Sequence, residues 1–186
     1  MIKSLISVFI VISFVAASQA SPIPPAPNLN VKAYVVMDFD SKMILASSNK
    51  DLTLPPASIT KMMTAYVAFT ELKEKNISLD EEILVSKKAW KTGGSKMFIE
   101  VGKRVKVRDI LQGVITVSGN DASVALAEHI SGDEKTFSTY MNQMAANLGL
   151  SNTNYTNATG LPSDSLYTTA EDISILSRAL IAEFPD

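Results

Sequence analysis

The sequence contains no cysteine, so it can form no disulfide framework, thiol nucleophile or thiolate metal site. Histidine occurs once, at His129, which excludes a site built from several imidazoles of this chain. Neither sign of charge dominates. The 17 basic and 19 acidic residues leave a formal charge of -2, and no basic footprint for nucleic acid is present. No apolar run reaches the roughly 20 residues of a membrane-spanning helix. No repeat at a fixed period is visible. What remains is a chain of 186 residues, 46% apolar and 19% charged, the composition of one globular domain or of one cut short. Without disulfides its stability has to come from a packed core.

The first twenty residues read as a signal peptide rather than as fold. Lys3 gives a short positive start, Leu5 to Ala17 an apolar stretch, and Ser18-Gln19-Ala20 a small-x-small cleavage pattern. The expectation is an exported protein, in the periplasm or on the outer face of the cytoplasmic membrane. Residues 21–30 carry Pro22, Pro24, Pro25 and Pro27 and read as an extended linker. The fold is expected over 31–186.

Within it, Val31 to Met37 is β-branched and aromatic, Asp38-Phe39-Asp40-Ser41 reads as a turn, and Lys42 to Ala46 as a returning strand. Leu54-Pro55-Pro56 stops this hairpin. A helix over 58–73 follows, apolar almost all round, as for a helix buried on most sides. Residues 83–107 read as strand and loop. Helices are predicted over 108–117, 121–130 and 136–148, the last closed by Gly149. Thr168-x-x-Glu171 reads as the capping box of a final helix running to about Ala182. Met62, Met63, Met141 and Met144 read as core.

The chemistry concentrates in two places. Ser58 and Lys61 are spaced i, i+3, which puts both on one face of a helical turn. A serine hydroxyl needs a neighbour to take its proton, and an amine can do so only when neutral, which burial favours. The start of a helix adds free N–H groups suited to an oxyanion. On spacing alone, Ser58 as a cap and Lys61 as a solvated charge is the commoner outcome. The second place is Ser118-Gly119-Asn120, between two apolar helices and about 60 residues on. A second hydroxyl can relay a proton and an asparagine amide can hold a substrate, although all three residues are also turn formers.

These runs together resemble the D-alanyl-D-alanine carboxypeptidases, the low-molecular-mass penicillin-binding proteins. The matching stretches are Ala33 to Asp38, Pro56-Ala57-Ser58-Ile59-Thr60-Lys61-Met62-Met63-Thr64, Ala89 to Gly93, Val117-Ser118-Gly119-Asn120-Asp121-Ala122 and Leu148 to Leu150. The resemblance implies an α+β, penicillin-recognising serine-enzyme fold, an antiparallel sheet flanked by helices. It implies Ser58 as acyl-enzyme nucleophile, Lys61 as proton acceptor, Ser118 as proton relay and Asn120 as a substrate-amide contact. The implied substrate is a peptidoglycan pentapeptide ending in D-Ala-D-Ala, with β-lactams as covalent inhibitors and no metal or organic cofactor.

The family's third motif, Lys-Thr-Gly, lies on a strand well after the serine-x-asparagine triplet, and no such motif follows Asn120 in this sequence. Lys91-Thr92-Gly93 has the same letters but precedes Ser118. The expectation is therefore an N-terminal part of the domain, inactive and unstable alone, lacking the C-terminal strands and a C-terminal membrane anchor. A β-lactamase of the same fold is the alternative enzyme, but Gly119 stands where those enzymes usually carry Asp. A module that binds cell wall without cleaving it is the non-enzymatic alternative. His129 is expected to sit favourably at a helix C-terminus, and Glu171 and Asp172 to cap a helix.

Overall fold

A computed structural model describes residue 26 and residues 28–185. The signal peptide and most of the proline-rich linker lie outside the described residues. β1 (Tyr34–Met37) and β2 (Ile44–Ser48) form the expected antiparallel hairpin, with a bulge between Val36 and Met37. Its turn is closed by Asp38, whose Oδ1 accepts the Ser41 N–H at 2.8 Å, and by Lys42 at φ 62°. Both strands start later than the pattern suggested, β1 at Tyr34, where pairing with Ser48 begins, and β2 at Ile44, because Lys42 and Met43 belong to this turn.

A single 3-10 turn (Ala57–Ile59) leads directly into α1 (Thr60–Lys73). The helix is buried on nearly every side: Met63, Val67 and Ala68 are fully enclosed. It separates two apolar clusters. One lies under β3 (Glu82–Leu84), α2 (Lys87–Lys91), β4 (Arg104–Lys106), α3 (Val107–Thr116) and α4 (Asn120–Ser131), and is built on Ile83, Val107, Ile110 and Leu126. The other joins α1 to α5 (Glu134–Leu148) and α6 (Ala170–Glu183) through Phe137, Met141, Tyr155 and Leu176. Met63 and Met141 are fully buried and Met62 and Met144 half-buried against this cluster, as expected. β3 and β4 pair antiparallel, so 82–106 is the strand-and-loop region anticipated, with one addition. The addition is α2, whose cap Ser86 accepts the Ala89 N–H at 3.0 Å; five lysine-rich residues give too little periodicity to read.

Two caps repay comparison with the sequence. Gly149 ends α5 in the left-handed conformation, as predicted. The last helix is capped by Thr169 rather than Thr168: Thr169 Oγ1 accepts the Asp172 N–H at 3.1 Å. Thr168 Oγ1 instead pairs with Thr153 Oγ1, and Glu171 forms an ion pair with Lys50. Asp172 is occupied by Asn152 N–H and the Thr153 hydroxyl, so no reciprocal capping box forms. His129 lies in the last turn of α4, 3.1 Å from Glu81 Oε1, the placement foreseen for it. Among the described residues no helix is long and apolar enough to cross a membrane.

Candidate active site

Ser58 is exposed at the centre of the 3-10 turn, and Lys61 is buried in the first turn of α1. Pro55 and Pro56 end the preceding strand-like segment, and Ala57 then takes φ +48°, a left-handed conformation unfavourable for alanine. This bend presents Ser58 at the opening of a cavity of about 400 Å³. Lys61 and Ser118 line the same cavity, and Phe69, Ile115 and Phe184 form part of its apolar wall.

The Lys61 ammonium position is closely specified. Nζ donates to Asn120 Oδ1 and to the Thr159 carbonyl, each at 2.7 Å, and lies 3.5 Å from Ser58 Oγ, the outer limit of hydrogen-bond reach. Burial alone pushes the Lys61 amine down to about 8. A neutral amine has two N–H bonds and one lone pair. The two short bonds take both hydrogens, which leaves the lone pair for the Ser58 hydroxyl. The arrangement can therefore accept a proton from Ser58.

The sign of the pH dependence follows. Lys61 titrates lower in the fold than in the unfolded chain, so between about 8 and 10.5 the unfolded chain binds more protons. The penalty for burying the cation is fully present below pH 8, and stability from this group rises with pH through that window. If the neutral amine is the base, the rate of Ser58 acylation should rise about tenfold from pH 7 to a plateau above pH 9. Stopped-flow acylation across that range measures it; a flat profile would mean that Lys61 does not titrate in the reaction.

Asn120 caps nothing but joins three segments. Its Oδ1 faces Lys61 and its Nδ2 donates to the Gly93 carbonyl at 2.8 Å, while its N–H donates to Ser95 O at 2.8 Å. Ser118 adopts φ +54°, and its Oγ, enclosed by protein, has no hydrogen-bond partner among the described residues. Lys91-Thr92-Gly93 contributes only the Gly93 carbonyl. Lys91 is exposed on α2 and the Thr92 hydroxyl bonds Lys88 O, so their side chains take no part.

Sequence reasoning brought together Ser58, Lys61, Ser118 and Asn120, and the structure places all four at one locus. It missed Thr159, which acts through a backbone carbonyl and so leaves no side-chain signature. It also missed Asp121. That buried carboxylate accepts N–H bonds from Met97, Phe98, Ile99 and Ala122, and so pins the 95–99 loop beside Asn120. Asp121→Ala would strand these donors and is expected to cost about 3 kcal/mol. In a domain of this size that lowers Tm by roughly 6–12 °C. Thermal melts followed by circular dichroism check it; a shift under about 2 °C would contradict the bracing role.

Comparison with known proteins identifies the family and the fold. Residues 18–186 match the sequence profile of a family described as D-alanyl-D-alanine carboxypeptidase, peptidase S11. The chain is 39% identical to the D-alanyl-D-alanine carboxypeptidase DacC of Escherichia coli over 186 residues, 97% of this chain and 46% of that one. It superposes on the crystal structure of DacD from Francisella tularensis with TM-score 0.87 and 43% identity, over 91% of this chain and 41% of the other. It is also similar to penicillin-binding protein D2 of Listeria monocytogenes in its ampicillin-bound form, with TM-score 0.77 and 29% identity over 87% of this chain and 66% of the other. The chain spans about half the length of the curated relatives it matches. Its helices and small antiparallel sheets are thus part of the penicillin-recognising α+β fold. With the serine–lysine pair set in that fold, the chain belongs to the D-alanyl-D-alanine carboxypeptidase family.

Proposed function

We propose that Ser58 is the nucleophile of a carboxypeptidase that trims peptidoglycan stem peptides ending in D-Ala-D-Ala, acting outside the cytoplasm. The observation that carries this reading is the buried Lys61 amine, 3.5 Å from Ser58 Oγ with its hydrogens held by Asn120 and Thr159. Ser58 Oγ gives its proton to Lys61 Nζ and attacks the carbonyl between the two D-alanines. The carbonyl π bond opens to a tetrahedral oxyanion. Its collapse breaks the C–N bond. Ser118 Oγ, which has no hydrogen-bond partner before substrate binds, turns into the site, gives a proton to the departing D-alanine amine and takes one from Lys61, which restores the neutral base. Water then adds to the ester by the same route, releasing the shortened peptide and the Ser58 hydroxyl. Asn120 Nδ2, which bonds Gly93 O, exchanges that carbonyl for one of the substrate. A β-lactam presents its strained amide to the same hydroxyl and forms the same ester. The ampicillin-bound structure of the Listeria relative supports this reading.

The test is release of D-alanine from a diacetylated tripeptide ending in D-Ala-D-Ala, using protein expressed from its complete gene. D-alanine should appear and should be blocked by one equivalent of penicillin. Folded protein that releases none would contradict the proposal.

A further inference from the structure

The structure assigns to Asn157, a residue outside the catalytic motifs, the positioning of the Ser58–Lys61 pair. The inference rests on the reading of these two residues as nucleophile and base. Residues 157–161 run between α5 and α6, outside every helix and strand. Within the turn the Asn157 side chain makes the largest set of bonds to this backbone, while Glu134 Oε1 on α5 accepts the Ala158 N–H at 3.2 Å. Asn157 Oδ1 accepts from Thr159 N at 3.1 Å, from the Thr159 hydroxyl at 2.9 Å and from Gly160 N at 2.7 Å. Its Nδ2 donates to Leu161 O at 3.0 Å. The Thr159 hydroxyl in turn accepts Leu161 N–H at 3.1 Å, which closes the turn on itself.

The turn meets the catalytic pair at two points. Thr159 O holds Lys61 Nζ at 2.7 Å. Gly160, at φ +85°, lies so close to the bend before the nucleophile that a Cβ there would fall 1.8 Å from Ala57 O and 3.1 Å from Ser58 N. α1 grips the same turn one residue earlier, through the Thr64 hydroxyl bonded to Ala158 O at 2.8 Å. One knitted loop therefore fixes both the direction of the base and the backbone that carries the nucleophile. Among the described residues the Asn157 side chain forms no hydrogen bond with Ser58 or Lys61, and it acts through Thr159 and Gly160.

The test compares Asn157→Ala, which removes acceptor and donor, with Asn157→Asp, which keeps the acceptor on all three donors. Saturating penicillin separates the first-order acylation constant from the dissociation constant of the complex that precedes it, at each variant's pH plateau. The alanine variant should acylate about 10- to 100-fold more slowly with the dissociation constant little changed, and the aspartate variant should recover to within about threefold of wild type. A purely structural residue would change the folded fraction and leave the acylation constant of folded molecules alone. A crystal structure of Asn157→Ala should show Thr159 O beyond hydrogen-bond reach of Lys61 Nζ. Should the alanine variant fail to fold, Asn157→Ser, a weaker turn former, serves instead and should show an intermediate rate. A folded alanine or serine variant that keeps the 2.7 Å contact and the wild-type acylation constant overturns the inference. If wild-type Ser58 takes no penicillin, the functional reading fails, and the Thr159–Lys61 distance in the variant still decides the role of Asn157.

Discussion

Lys61→Met is expected to slow acylation of Ser58 by about 10²- to 10⁴-fold while leaving the fold in place. Methionine is close to lysine in length and brings no charge into a buried position. It leaves Asn120 Oδ1 and the Thr159 carbonyl without a donor, a loss of about 1–3 kcal/mol each. Against that, the variant no longer has to bury an amine whose protonation burial already disfavours. The two effects oppose one another, so Tm should move by only a few degrees in either direction. The rate has no such offset, because the described residues place no other side chain that can take the Ser58 proton in hydrogen-bond contact with it. Stopped-flow labelling and thermal melts on the same preparation separate the two quantities. A variant that labels within about threefold of wild type would remove Lys61 from the role of base.

Gly160→Ala is the second large effect, and it acts on the nucleophile instead of the base. The added methyl would lie 1.8 Å from Ala57 O, closer than any non-bonded contact allows, and the φ of +85° is itself unfavourable for alanine. Either the 157–161 turn or the Ala57–Ser58 bend has to shift. A displacement near 1 Å at the reacting atom costs on the order of 10²-fold in rate. Gly149→Ala is the control: its φ is +79° but a Cβ there meets nothing within 4 Å. It should lose about 1 kcal/mol of stability and none of the acylation rate per folded molecule. Equal rates in the two variants would contradict a role for Gly160 in placing Ser58.

The contrast between these residues explains how far the sequence could be read. That Ser58, Lys61, Ser118 and Asn120 lie together was legible through the runs that resemble a known family, since spacing alone favoured a cap and a solvated lysine. α4 and α5 were legible because a glycine ends each, Gly132 and Gly149, and α5 carries an amphipathic face, all local signals. Thr159 and Gly160 were not. One works through a carbonyl that every residue possesses, and the other through the absence of a Cβ at one close approach to Ala57. Such contacts exist only once residues about 100 positions apart have been folded together. The shift of the last cap from Thr168 to Thr169 has the same origin, since Thr153 and Asp172 compete for hydroxyls that local pattern alone cannot assign. The larger cavity of about 660 Å³, between β1 and α6, was likewise invisible to pattern and carries no serine–lysine pair.

The central claim is that the Ser58 hydroxyl, served by Lys61, forms the acyl-enzyme. The most direct measurement is intact-mass and peptide-mapping mass spectrometry after brief exposure to penicillin, comparing the protein expressed from its complete gene with its Ser58→Ala variant. The account predicts one penicilloyl group per molecule, on the peptide containing Ser58, and none on the folded variant. An adduct on another residue, or a Ser58→Ala variant that labels at the wild-type rate, would contradict it.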